Sequence, residues 1–217
     1  YTIRRGKDNE EWTELFVYKI GEQSKVSKKA FELIIIEDNS LNAFAAPGGI
    51  IGVNAGLFKY SDNEAQFASV IAHELAHLSQ RHFARQILEG SDRSNQSLAT
   101  VLAAIVVAVA TSSPAAIIGG QGLLASQQLR FSRLYETEAD REGYVTLQKA
   151  GYDTVEMSEM FKNMQEVRRL SGDKMPEFLL THPITTRRIT ESRERAREYP
   201  SPGKTDSFNF KLIKKRV

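Results

Sequence analysis

The sequence predicts a mainly helical α+β domain. Two observations predict it: segments with helical apolar spacing recur along most of the chain, and β-rich runs are confined to residues 31–58. The length of 217 residues allows one domain with a sizeable core. At 41% hydrophobic and 26% charged, the composition is that of an ordinary globular protein. A net charge of +2 is too small to argue for a nucleic-acid partner or strong attraction to membranes. With no cysteine, disulfide scaffolds, thiolate metal sites and cysteine nucleophiles are all excluded. The first residue is Tyr1 rather than Met, which reads as a processed or trimmed product.

Trp12, Leu15, Phe16 and Ile20 lie at helical spacing and predict a first helix over 8–24. FELIIIED (31–38) is a β-rich run, and NAFAAPGGIIGVNAGLF (42–58) reads as two further extended segments separated at Pro47-Gly48-Gly49. Ser61 followed by Glu64 reads as a capping box opening a helix to about Leu88. Residues 94–129 then run for 36 positions without a formal charge. Their densest apolar part, 98–110, is 13 residues long, whereas a bilayer span takes about 20. The stretch is read as a buried or edge-packed helical hairpin, with a flap that moves or touches a membrane surface as the alternative.

A charged helix is expected from Leu129 to Ala150, stopped by Gly151. Asp153 with Glu156 reads as the cap of the next helix, whose Met157, Met160, Phe161, Met164 and Val167 form a core stripe. Pro183 is placed as the first residue of a last helix. The domain is therefore drawn over 1–200, with a polar, basic and mobile tail expected over 201–217.

The chemistry starts at VIAHELAHLSQRH (70–82), which holds three of the four histidines. His73 and His77 sit one helical turn apart, so both imidazoles can reach one metal ion. Glu74 follows the first of them and can take a proton from a water at the metal. A catalytic zinc usually needs a third protein ligand and one open position. His82 lies roughly 140° around a continuous helix from His77, so it is read as an exposed or locally hydrogen-bonded residue instead. In YETEADREG, Glu136 and Asp140 share a helix face, whereas Glu138 points roughly 160° away from Glu136. Glu136 is thus the expected third ligand, and Asp140 the carboxylate that accepts the N–H of a ligating histidine.

In order along the chain, NAFAAPGGIIGVNAGL, VIAHELAHLSQRH, ETEADREG and THPITTRRI resemble the HtpX and CAAX-prenyl-protease type of gluzincin, and within it the soluble BepA-like periplasmic members. The resemblance implies a zincin-type metallopeptidase domain, with the H-E-x-x-H and E-x-x-x-D helices facing each other and a small sheet bordering the cleft. It implies one Zn2+ per chain on His73, His77 and Glu136, with Glu74 as general base. It also implies a substrate-binding edge strand at Asn42, Ala43, Phe44 and Ala45, where an extended peptide can add main-chain hydrogen bonds. His182 would lie near the metal, as oxyanion stabiliser or as fourth ligand in a resting state, and Arg188 would face the same cleft. The chain departs from HtpX in lacking long hydrophobic spans and from some BepA-like chains in lacking tandem helical repeats.

The expected activity is zinc-dependent endopeptidase hydrolysis of unfolded or misfolded proteins. The resemblance implies cell-envelope quality control in a periplasmic or otherwise extracytoplasmic setting, with peripheral membrane contact, if any, through 94–129. The rival reading is a zinc-stabilised chaperone or scaffold that binds extended chains without cutting them. Glu74 speaks against it, because a structural site needs no such carboxylate.

Overall fold

A computed structural model of the chain describes residues 7–26, 32–46, 49–89, 133–172 and 175–216. Among them, helix α1 (Lys7–Gln23) precedes strands β1 (Glu32–Ile36), β2 (Ala43–Ala46) and β3 (Ile50–Asn54). Helices α2 (Ala55–Tyr60), α3 (Glu64–Ser79), α4 (His82–Glu89), α5 (Arg133–Lys149) and α6 (Val155–Leu170) follow. Short α7 (Glu177–Thr181), α8 (Thr186–Glu198) and α9 (Phe208–Arg216) complete the order. The class is the mainly helical α+β one expected. The uncharged run 94–129 and the turn residues Pro47 and Gly48 lie outside the described residues.

Leu33–Ile36 is extended because branched side chains pack well on a pleated surface. β1 pairs parallel with β3 and β2 pairs antiparallel with it, with Ala43 opposite Val53 and Ala46 opposite Ile50. The order β1-β3-β2 leaves β2 at an edge. Phe44 lies across Gly52, where a Cβ would fall 2.2 Å from the ring. The extended run stops earlier than its apolar pattern suggests. Residues 55–60 are helical, with the Gly56 N–H donating to Asp38 O at 2.8 Å and Leu57 and Phe58 buried.

Helix α3 is buried at every position from Glu64 to His77. A helix hidden on all sides is a core helix, and α3 packs against α1, α5, α6 and β2. Its cap is not Ser61, whose N–H and Oγ both donate to Leu57 O and so close α2. Asn63 is the cap instead, its side chain accepting from Gln66 N at 2.9 Å. Nor does the helix run unbroken to Leu88. It ends at Gln80, Arg81 adopts φ 54, and α4 starts afresh at His82.

The methionine stripe is core, as its spacing predicts: Met157, Met160, Phe161 and Met164 are buried, with Val167 partly so. Asp153 Oδ1 accepts from Val155 N, but the cap position is Thr154 and makes no side-chain cap bond. Pro183 does not open α8; Thr185 caps it, accepting from Arg188 N. On α1, Leu15 is 63% exposed and Val17 takes its inward place.

The segment past Pro200 folds back onto the domain, which corrects the expected mobile tail. Phe210 and Ile213 of α9 are buried, and the Phe210 ring packs against Trp12, Phe58 and Phe67. Ahead of α9, Lys204 Nζ donates to the buried Glu64 carboxylate at 2.6 Å, Tyr152 Oη does the same at 2.6 Å, and Ser207 Oγ joins them. An acidic first-turn residue also suits the positive end of the helix dipole. The C-terminal segment thereby clamps the start of the helix that carries the site.

Candidate active site

Helices α3 and α5 pack along each other and bring two distant motifs together. From α3 come His73, Glu74 and His77; from α5 come Glu136 and Asp140; His182 ends α7 as its C-cap. All six side chains are buried. The Nε2 atoms of His73 and His77 lie 3.0 Å apart. Glu136 approaches them with Oε2 at 3.5 Å from His73 Nε2 and Oε1 at 3.3 Å from His77 Nε2. His182 Nδ1 is 3.0 Å from Glu136 Oε1. One ligand atom from each of His73, His77, Glu136 and His182 falls within 4.8 Å of the others.

Behind this cluster, His73 Nδ1 faces Asp140 Oδ1 at 3.1 Å. Asp140 is gripped by the Arg188 fork, Nε and Nη2 each donating at 2.7 Å, while Nη1 lies 2.7 Å from Glu136 Oε2. Arg188 thus adjoins the site through both carboxylates. It is 5% exposed and sits behind the carboxylates, because two buried anions one turn apart require a shared cation.

Glu74 is held differently. Its Oε2 accepts the Ala45 N–H of β2 at 3.0 Å, while Oε1 accepts no hydrogen bond from the described residues and lies 3.5 Å from His182 Nε2. Because Ala45 N points off the sheet, the two-residue alternation places the Ala43 main chain along the same edge. Asn42, just before β2, donates to Glu177 on α7 at 2.9 Å. Phe44 turns instead onto Gly52.

The charges test whether a metal ion fits. With the imidazoles neutral and the carboxylates ionised, as ligation requires, buried Glu74, Glu136 and Asp140 against one buried guanidinium leave an excess of two negative charges. That is the charge a divalent cation supplies, and imidazole with carboxylate is a common donor set for zinc. The residues fit the ion. In its absence, burial works against the charged form of His73, but Asp140 and Glu136 override it and push the imidazole up to about 9. Burial holds His77 well below the usual histidine range despite Glu136. Burial alone would raise Glu136, yet His182 and Arg188 keep it well below the ordinary carboxylate range; Arg188 likewise keeps Asp140 low. Burial raises Glu74, against the pull of His182 and His73.

Residues 7–196 match the sequence profile of Peptidase family M48. The chain belongs to Peptidase family M48. It is 38% identical over 192 residues to a putative beta-barrel assembly-enhancing protease of Vibrio cholerae, covering 88% of this chain and 40% of that protein. Against the beta-barrel assembly-enhancing protease of Escherichia coli K12 the identity is 35% over 192 residues, covering 88% and 39%. Against the mitochondrial metalloendopeptidase OMA1 of Saccharomyces cerevisiae it is 30% over 164 residues, covering 73% and 45%. The chain thus spans about two fifths of the length of the assembly-enhancing proteases it matches. Within this M48 domain the described donor cluster is the candidate metal site.

One feature of it was missed by sequence reasoning. Of the two readings given for His82, exposure does not hold but local hydrogen bonding does: it is fully buried, with Nδ1 2.8 Å from His77 Nδ1, a contact to a metal-site histidine that the sequence did not suggest. The 140° separation holds only in a continuous helix, and the chain breaks at Arg81. Arg81-His82 directly after a helix of strong propensity carries no turn signal that would reveal it.

Proposed function

We propose that this chain is a zinc-dependent metalloendopeptidase that hydrolyses unfolded or misfolded polypeptides in cell-envelope quality control, in a periplasmic or otherwise extracytoplasmic setting. The observation that carries it is Glu74 Oε1, which accepts no hydrogen bond among the described residues, beside the cluster of His73, His77, Glu136 and His182. A site built only for stability has no use for such an oxygen. His73, His77 and Glu136 hold the zinc ion, and Asp140 fixes the ring of His73. When bound, zinc supplies Lewis acidity toward a scissile carbonyl and a water. Glu74, oriented by the Ala45 N–H, takes the proton of the attacking water and returns it to the leaving amine as the C–N bond breaks. Arg188 is a positioning residue, acting through Asp140 and Glu136.

An extended substrate pairs along β2, whose Ala43 and Ala45 main chain borders the site. In the described state His182 stands between Glu74 and Glu136, where substrate would need room. This favours the reading of His182 as a fourth ligand that closes a resting site. Its helix α7 is tied to β2 through Asn42 and Glu177, so displacing that segment opens edge and metal together. Among the described residues no helix is long and apolar enough to cross a membrane. The role of 94–129 at the cleft or at a membrane surface is part of the proposal.

The test is Glu74→Gln. The expected result is casein cleavage reduced at least about 100-fold with zinc retained. Equal cleavage by both proteins would leave the non-cutting scaffold as the better account.

A further inference from the structure

We propose that His82 is the positioning residue of His77 and connects that imidazole to Glu138 near the surface. The proposal rests on His77 being a metal ligand. Three contacts define the path. His82 Nδ1 lies 2.8 Å from His77 Nδ1, both rings being buried. On its far side, His82 Nε2 is 3.4 Å from Glu138 Oε2, which also accepts from Arg85 Nη1 at 2.9 Å. The flat of the His82 ring stacks on Tyr135, with centroids 4.6 Å apart at 17°. Tyr135 immediately precedes Glu136, so one turn of α5 supplies both a ligand and the wall that orients His82.

The backbone is arranged for this contact. In a continuous helix His82 would lie roughly 140° around from His77 and about 7.5 Å along the axis. Arg81 at φ 54 ends α3 and redirects the chain so that His82 turns back. A left-handed conformation is unfavourable at a non-glycine residue, and Arg81 adopts it at this point.

Proton bookkeeping gives each nitrogen one role. If His77 offers the Nε2 lone pair to the cluster, its proton sits on Nδ1 and is donated to His82 Nδ1. His82 must then carry its own proton on Nε2, where Glu138 faces it. The two histidines of α3 are thus oriented by different devices. His73 leans on a buried carboxylate locked by Arg188, whereas His77 leans on an imidazole leading to a carboxylate that is one-third exposed.

The test measures zinc affinity of the full chain by competition with a chelator. His82→Leu is expected to weaken binding about 10- to 100-fold. His82→Asn, which restores a polar atom near the Nδ1 position, should stay within about threefold of the unsubstituted chain, and His82→Gln, whose amide reaches the Nε2 position, should not. Glu138→Gln should weaken binding about threefold. Equal affinity in the unsubstituted chain and His82→Leu would overturn this proposal alone. Failure of the unsubstituted chain to bind zinc would overturn the metal-site reading beneath it. Should the leucine variant not fold, equal affinities for the asparagine and glutamine variants would overturn the proposal.

Discussion

Gly143 on α5 packs directly onto the backbone of His73 on α3. A Cβ at residue 143 would lie 3.2 Å from both Cα and N of His73, tighter than helix backbones comfortably tolerate. This missing side chain sets how closely the two motif-bearing helices approach, and hence whether Glu136 reaches the imidazoles.

Gly143→Ala should therefore separate local propensity from the site. Alanine favours the helix by about 1 kcal/mol, so global stability should hold. Zinc affinity should fall about tenfold as α5 is displaced by a few tenths of an ångström. Unchanged affinity, measured by chelator competition, would show that the approach of α3 and α5 does not govern the site.

Arg188→Met removes the guanidinium, whose Cζ lies 4.7 Å from the centre of the Phe161 ring, and leaves an unbranched apolar side chain. Asp140 and Glu136 would remain buried without their shared cation. Denaturant unfolding of the metal-free chain should show a loss of about 3–5 kcal/mol. A change below about 1 kcal/mol would mean that other groups already balance the carboxylates.

His182→Ala tests the resting-state reading. If His182 closes the site, its removal should raise basal casein cleavage with one zinc per chain retained. A fall of about 100-fold or more would assign His182 to oxyanion stabilisation instead.

Alkaline stability tests the C-terminal clamp. Burial, then the bond to Glu64, raises the Tyr152 hydroxyl above its ordinary 10.0. A group held protonated in the folded state contributes stability that is whole below the unfolded value and lost as pH rises beyond it. Unfolding free energy should thus fall as pH climbs above about 10. Tyr152→Phe should cost about 1 kcal/mol at pH 8 and show a shallower fall above pH 10. Equal slopes for the two chains would remove Tyr152 from the clamp.

The legible parts of this molecule are those with short-range periodicity. The spacings of His73 with His77 and of Glu136 with Asp140 specify helix faces, so these donors are legible in the sequence. The β-rich run and the methionine stripe were readable for the same reason. What escaped depends on contacts distant in sequence or on one dihedral angle. Arg188 turns inward because two buried carboxylates demand it, which no local pattern near Arg188 announces. His82 returns to His77 through the single conformation of Arg81. The segment after Pro200 reads as polar, and only packing of Phe210 among Trp12, Phe58 and Phe67 reveals it as core.

The most direct measurement is a crystal of the zinc-loaded chain with anomalous data collected at the zinc edge. The account predicts one peak per chain, within bonding distance of the His73 and His77 Nε2 atoms and a Glu136 oxygen. A peak elsewhere, or one at the two imidazoles with Glu136 turned away, would contradict it.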